Sequence, residues 1–482
     1  MTWSSLRVAP SLIAAGALCA SGCNGLFGAA PAASATAVPA TASLAANAPA
    51  GLTWGGDVRV RDEYFNNALS LSETVANHEQ DLFRVRLRLW SAVAIAPDLS
   101  VNLRFAAEPR IWERPAFAKQ HPGTGTEWRY GILDNLNVKW THAFDLPLTI
   151  TAGRQDIQFG EVLNWWLVGD GTPGDGSWAF FLDSVRATFD AAEIKTKFDL
   201  IGIDQHARPD GWLPIVGSAN TYSVVEQNER GLILYATNQS VPGAQLDGFF
   251  IWKHDDAVFA YSDTGDIYTA GAKAAGSPGP NWKYSLEGAW QWGWKRDTSV
   301  RTPVNLGTLH RDIQACGANG RLTYLFKDPR DNQLTLVGEY LSGDDPNTQG
   351  TDEMFDILWG RWPRFSELYI YSYPMETAGK VAQLNNLLRL GASWSFAPVK
   401  GTTVNLAYNA WFAPQSVPTR ALNPALFSRT GHFRGHFFQL WVKRKFSPAL
   451  SGQVWAELVR PGDFYARRDL MSYLRAEMQV TF

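Results

Sequence analysis

The last eleven residues, Ser472 to Phe482, place Leu474, Ala476, Met478, Val480 and Phe482 on one side of an extended chain. Tyr473, Arg475, Glu477, Gln479 and Thr481 fall on the other. A period of two puts an apolar row and a polar row on opposite faces of a strand. The alternation recurs. Phe83, Val85, Leu87 and Leu89 oppose Arg84, Arg86 and Arg88, while Val101, Leu103 and Phe105 oppose Asn102, Arg104 and Ala106. Leu388, Leu390, Ala392 and Trp394 oppose Arg389, Gly391, Ser393 and Ser395, and Val404, Leu406 and Tyr408 oppose Asn405, Ala407 and Asn409. One such segment fits a soluble sandwich with one solvated face. Many of them, each about ten residues long, form the pattern of membrane-spanning strands.

The connections come in two sizes that alternate. Short ones hold turn residues: Pro97-Asp98, Asp145-Leu146-Pro147, Asp190-Ala191-Ala192, Pro242-Gly243, Pro278-Gly279-Pro280, Lys327-Asp328-Pro329-Arg330, Pro398-Val399-Lys400-Gly401 and Ser447-Pro448-Ala449. Long polar or Gly-rich stretches lie near 65–81, 111–129, 158–181, 205–229, 296–312, 343–383 and 414–433. Eight short turns, with both termini at the turn end, predict about 18 strands in a single antiparallel transmembrane barrel. That architecture also accounts for length. A chain of 482 residues exceeds what one soluble core holds, whereas a barrel grows around its circumference. Beyond the first two dozen residues no uncharged apolar run is long enough to span as a helix.

Arg7, the apolar stretch Val8 to Leu18 and the small residues Ala20-Ser21-Gly22 before Cys23 read as an export signal over 1–23. Ala20-Ser21-Gly22-Cys23 resembles a lipobox, so either Cys23 is lipidated or cleavage falls nearby, for example after Ala33-Ser34-Ala35. Residues 24–51, rich in Ala, Pro, Ser and Thr, read as a flexible linker, and the barrel is expected over 52–482. Cys316 is the one cysteine of the body, so no disulfide is expected there. The formal net charge of -3 offers no basic excess for nucleic acid.

Several motifs resemble the alginate-export family of outer-membrane porins. They are the arginine-rich strand Leu82 to Leu89; Ala152-Gly153-Arg154-Gln155 followed by Phe159-Gly160-Glu161 and Leu182-Asp183-Ser184-Val185-Arg186; and Ser342-Gly343-Asp344-Asp345-Pro346-Asn347 followed by Phe355-Asp356-Ile357-Leu358, with Leu387 to Arg389 beyond. The chain departs from the family at Leu182, where Phe is usual, and at Trp359-Gly360, where Phe-Pro is commoner. The resemblance implies a bacterial outer-membrane location, an electropositive lumen passing a polyuronate such as alginate, and periplasmic export partners. The terminal aromatic on Ser472–Phe482 likewise looks like the signal read by the barrel-assembly machinery, and outer-membrane lipid is the expected surround.

If the apolar rows meet lipid, then Arg84, Arg86, Arg88, Arg104, Lys139, Arg186 and Arg389 project inward, joined by Arg59 and Arg61 from the first strand. Guanidinium groups suit carboxylates through their planar fork of donors and permanent charge. Acidic residues such as Glu63 and Glu108 could balance them, which is the reading of a general anion or solute porin. Arg154 falls on the lipid side by strict alternation from Leu148, Ile150 and Ala152; the family pattern assigns it to the pore, through a bulge at Gly153 or by snorkelling.

Catalytic signatures are missing: there is no Gly-x-Ser-x-Gly elbow and no His-Glu-x-x-His, so no enzyme is expected. No cofactor is expected either. Asp344, Asp345, Asp352, Glu353 and Asp356 crowd the Gly343 to Asp356 loop, where hard oxygens could hold Ca²⁺, but the spacing matches no calcium loop and ordinary turn chemistry explains it. The 21 Trp leave open a secreted carbohydrate-binding protein, and an outer-membrane hydrolase is the remaining alternative. Interfacial girdles of a barrel use the same residue.

Overall fold

The computed structural model describes residues 51–68, 71–74, 78–114, 125–157, 159, 181–207, 225–260, 262–297, 310–360, 365–372, 375–378 and 385–482. The export signal expected over 1–23 with Cys23, the linker up to residue 50, Gly160 and Glu161 lie outside these residues.

Strands begin at Leu52, where the alternation begins. They run β1 (Leu52–Asn66), β2 (Glu79–Ala96), β3 (Leu99–Arg114), β4 (Thr126–Trp140), β5 (Leu148–Gln155) and β6 (Leu182–Ala191). Next come β7 (Thr196–Gln205), β8 (Asn228–Asn238), β9 (Ala244–Asp256), β10 (Thr264–Gly279), β11 (Trp282–Arg296), β12 (His310–Leu325) and β13 (Gln333–Leu341). A two-residue strand, β14 (Thr351–Asp352), lies within a loop and pairs parallel with β12. The series ends with β15 (Leu387–Phe396), β16 (Thr402–Phe412), β17 (Phe433–Lys445), β18 (Leu450–Pro461) and β19 (Met471–Thr481).

Apart from β14, each strand pairs antiparallel with its neighbours in the ring, and β1 closes it by pairing with both β2 and β19. The barrel therefore has 18 strands, the number the turns imply, and all eight short connections fall where the turn residues place them. At the seam the Gly56 N–H donates to the Phe482 carbonyl at 2.9 Å and the Phe482 N–H to the Gly56 carbonyl at 3.0 Å. Closure gives each spanning strand a hydrogen-bonded neighbour on both sides, which lipid requires.

Val60, Leu87, Leu89, Val185, Leu200, Leu234, Trp290, Leu336, Leu390, Leu406, Phe438, Leu458 and Val480 stand exposed on the outer face. The inner face is less uniform than strict alternation suggests. Toward the loop end, Ile201, Ile203, Ile233, Ile251, Ile267 and Ile313 also point inward and are buried. They pack in one cluster with Phe355, Ile357, Leu358 and Trp359 of the β13–β15 connection. Burying apolar surface there holds that connection inside the barrel.

Candidate functional site: a charged inner wall and a strap across the lumen

On β1, alternation aims Asp57, Arg59, Arg61, Glu63 and Phe65 inward, and all five are buried. The β1–β2 register sets Arg61 opposite Arg84, Arg59 opposite Arg86 and Asp57 opposite Arg88. β3 adds Glu108 and Arg110, and β19 adds Arg475 opposite Glu63 and Glu477 opposite Arg61. Like charges in such proximity need counterions. Arg84 reaches Glu63 at 2.9 Å and Glu108 at 2.6 Å, Arg59 reaches Glu108 at 3.3 Å, and Arg61 reaches Glu477 at 2.6 Å. Asp57 takes both Arg86, at 3.1 Å, and Arg88, at 2.6 Å, while Arg475 binds Glu63 at 2.6 Å. Among the described residues, seven guanidinium groups on these strands face four carboxylates of the same strands, an excess of cations beside a low-dielectric wall that strengthens every pair.

The other expected residues lie elsewhere. Arg104 binds Asp134 at 2.7 Å and forks onto both oxygens of Asp156. Lys139 is exposed opposite Ser100 and Thr151. Arg186 donates to Asp199 at 2.8 Å and lies over the Phe159 ring. Arg389 donates to Glu339 at 2.9 Å and to Asn409 at 3.2 Å. Arg154 stands apart. The β4–β5 and β5–β6 registers run unbroken past Gly153, so Arg154 sits opposite Leu136 and Asp183, one step beyond the row in which Ala152 pairs with outward Val138 and Val185 and on the same face by alternation. Its side chain is nevertheless buried, forking onto Asp183, donating to the Leu133 carbonyl and lying 3.9 Å over Phe181. Gly153, at φ +120°, lies so close to the Leu136 carbonyl that a Cβ there would collide with it, and beside it Gln155 donates to the Thr151 and Gly153 carbonyls.

The connection after β13 forms a strap. Near its start, Asp344 and Asp352 are held by Arg311 at 2.8 and 3.0 Å, and Arg420 from the β16–β17 loop binds Asp352 at 2.7 Å as well as Asp297. Of the acidic residues crowded in this loop, Asp344 and Asp352 are thus engaged by the chain's own cations, while Asp345 accepts from Asn347 and Glu353 from the Thr348 hydroxyl. Burial, reinforced by Asp344, pushes the Asp352 carboxyl above its usual range against Arg420 and Arg311. Burial opposes the charge on Arg420, but Asp352, Asp297 and Asp344 outweigh it and hold the guanidinium well above its ordinary value.

Farther along, Gln291 of β11 grips the backbone of Asp356, donating to its carbonyl at 2.7 Å and accepting its N–H at 2.8 Å. The Asp356 carboxylate binds Lys295 at 3.0 Å. The Trp359 indole then enters the space left by Gly231 of β8. The strap reappears against the facing wall. Phe365 offers its carbonyl to Gln439 of β17, and Glu457 of β18 accepts from the Ser366 hydroxyl and the Glu367 and Leu368 N–H groups. Glu367 binds Arg475 at 3.0 Å, joining the strap to the arginine wall. Eight barrel strands separate β8 from β18 in either direction, so the strap's contacts stand at opposite ends of a diameter.

Arg110, Arg475, Glu477 and the strap were not among the expected site residues. Arg475 and Glu477 were legible as the polar face of the last strand. The strap's inward course had no signal beyond the apolar residues Phe355, Ile357, Leu358 and Trp359.

An apolar outer band, a closed 18-strand ring, short turns at one end, long loops at the other and a charged interior define an outer-membrane porin of a Gram-negative bacterium. The chain belongs to the alginate export family, whose model matches residues 51–477. No curated protein matches it in sequence. In fold it is similar to crystal structures of Acinetobacter baumannii OccAB1 (TM-score 0.54, 9% identity, covering 89% of this chain and 96% of that one). It is similar also to Pseudomonas aeruginosa OccK5 (OpdH), at TM-score 0.52, 10% identity and coverage of 89% and 98%. A third is Pseudomonas aeruginosa OccK9 (OpdG), at TM-score 0.51, 10% identity and coverage of 89% and 98%.

Proposed function

We propose that this porin passes anionic polysaccharide, an alginate-like polyuronate or its oligomers, across the outer membrane without chemical conversion. The observation that supports this most is the inward series of arginines on β1, β2, β3 and β19, clustered by register on one part of the inner wall. Fixed guanidinium groups along a low-dielectric barrel wall attract carboxylates and suit their planar geometry. A periplasmic partner that delivers the polymer belongs to the same reading.

A second reading, a general anion or solute porin, draws on the pairing of those arginines with Asp57, Glu63, Glu108 and Glu477, which neutralises much of their field. Planar-bilayer recording separates the two. Polyuronate passage requires anion-shifted reversal potentials and block by oligouronates, both reduced in an Arg84/Arg86/Arg88→Ala variant. Equal cation and anion permeability, or currents indifferent to oligouronate, would overturn it.

A further inference from the structure

The inner wall at the turn end of β17 and β18 holds an aromatic pair with a cation on it. Trp441 and Trp455 are cross-strand neighbours with ring centroids 5.2 Å apart. The Trp441 Nε1–H donates to Gln453 Oε1 at 2.8 Å, which fixes the plane of the indole. Lys443, exposed and two residues nearer the strand end, lays its ammonium 3.6 Å from the centroid of the Trp441 ring. The hydrogen bonds of Gln439 to the Phe365 carbonyl and of Glu457 to the Glu367 and Leu368 N–H groups, all on the strap inside the barrel, settle the inward direction of this row, because β17 and β18 keep one register throughout.

The register gives this corner a second property. Lys443 pairs with Gln453, Gln453 with Glu477, Glu477 with Arg61, and Arg61 with Arg84. The side chains follow the same path, with Gln453 Nε2 donating to Glu477 at 3.0 Å and Arg61 Nε donating to Glu477 at 2.6 Å. In a barrel whose strands tilt and stagger, a row of paired residues climbs as it goes round. Lys443 is third from the turn end of β17, whereas Arg61 is the tenth residue of β1, roughly 30 Å along its strand at ~3.3 Å per residue. One polar row therefore ascends from the turn-end mouth to the buried arginines.

We infer that Trp441 and Lys443 form a loading subsite for a uronate residue at the periplasmic mouth, the lowest step of this ascending row. The inference rests on the proposed function and adds where the chain is first held. A pyranose carboxylate offers both matching features: an apolar C–H face for the indole and an anion for the ammonium. A Lys cation lying on an aromatic ring is partly desolvated already, and exchanging the ring for a carboxylate restores its charge pairing. Trp455, buried under Arg475, backs the Trp441 ring and keeps it from yielding. Sugar C–H groups and carboxylate are needed together, so a small inorganic anion gains little here.

The test is sided block of single channels inserted in one orientation, with a defined oligouronate added to either chamber and heat-modifiable migration showing that each variant folds. In the wild type, block from the turn side is expected at lower concentration than from the loop side. Trp441→Ala and Lys443→Ala should each raise the half-blocking concentration from the turn side about tenfold, Trp441→Phe should restore most of it, and block from the loop side should shift far less. Turn-side block unchanged in Trp441→Ala, or weakened equally from both sides, would overturn the subsite while leaving polyuronate passage standing. Absence of block from either side in the wild type would instead remove the proposed function itself.

Discussion

The indole of Trp359, on the strap, fills the space that a side chain at Gly231, on the opposing inner wall, would occupy. The two residues are far apart in sequence, yet the ring at 359 restricts the choice at 231, where a Cβ would collide with it.

Gly231→Val should therefore displace Trp359. Overpacking of this kind costs about 1 to 3 kcal/mol. Because the contact is one of the strap's attachments to the wall, single-channel conductance is expected to rise, or flicker between two levels. Conductance identical to wild type would show that Trp359 does not hold the strap.

Glu457→Ala attacks the facing attachment. It strands the Glu367 and Leu368 N–H groups and the Ser366 hydroxyl, each a buried donor worth about 1 to 3 kcal/mol when left unpaired. The expected outcome is a larger fraction of time in a high-conductance state. Combining it with Gly231→Val tests whether the strap behaves as one body: coupled attachments give a non-additive effect.

Asp356 makes the strap sensitive to acid. Burial would raise its pKa, but Lys295 and Lys253 outweigh burial and hold the carboxyl below its ordinary value. A depressed folded-state pKa contributes stability that is present above the unfolded value of about 3.9 and is lost as pH falls below it. Conductance should thus be steady from neutral pH down to about pH 4 and change below it. Asp356→Asn, already without the charge, should lack that transition.

Arg154→Ala separates a structural arginine from the arginine wall. Its partners are Asp183, the Leu133 carbonyl and Phe181, and none belongs to the β1–β2–β19 network. Loss of a charged fork of hydrogen bonds, about 1.5 to 3 kcal/mol each, is expected to lower the temperature at which the folded gel band is lost. Arg86→Ala should instead shift the reversal potential. A selectivity change in Arg154→Ala as large as in Arg86→Ala would place Arg154 in the pore after all.

Deleting Phe482 should slow insertion and lower the yield of folded barrel. It removes the two backbone hydrogen bonds with Gly56 at the seam and the ring lying over that glycine. Barrels that do insert should keep wild-type selectivity, since the residue contacts no inner-wall charge. Normal assembly kinetics would show that closure does not depend on the terminal aromatic.

Alternation alone assigned Arg84, Arg86, Arg88 and Arg389 to the side opposite lipid, because a strand's period of two is local and survives any tertiary setting. The eight turns likewise predicted the strand number, since turn chemistry is local too. Alternation failed where both faces of a strand are apolar. On β7, Leu200 faces outward and Ile201 and Ile203 inward, and nothing local distinguishes lipid from a loop packed in the lumen.

Periodicity and turns are properties of neighbouring residues, so a closed barrel with charged rows along its inner face was legible before any tertiary contact was known. The tertiary structure alone decided which carboxylate meets which arginine, that the β13–β15 loop crosses the lumen, and that Lys443 shares a row with Arg61. Those relationships depend on register and stagger around the ring, summed over strands distant in sequence, and on apolar packing between a loop and the wall it reaches.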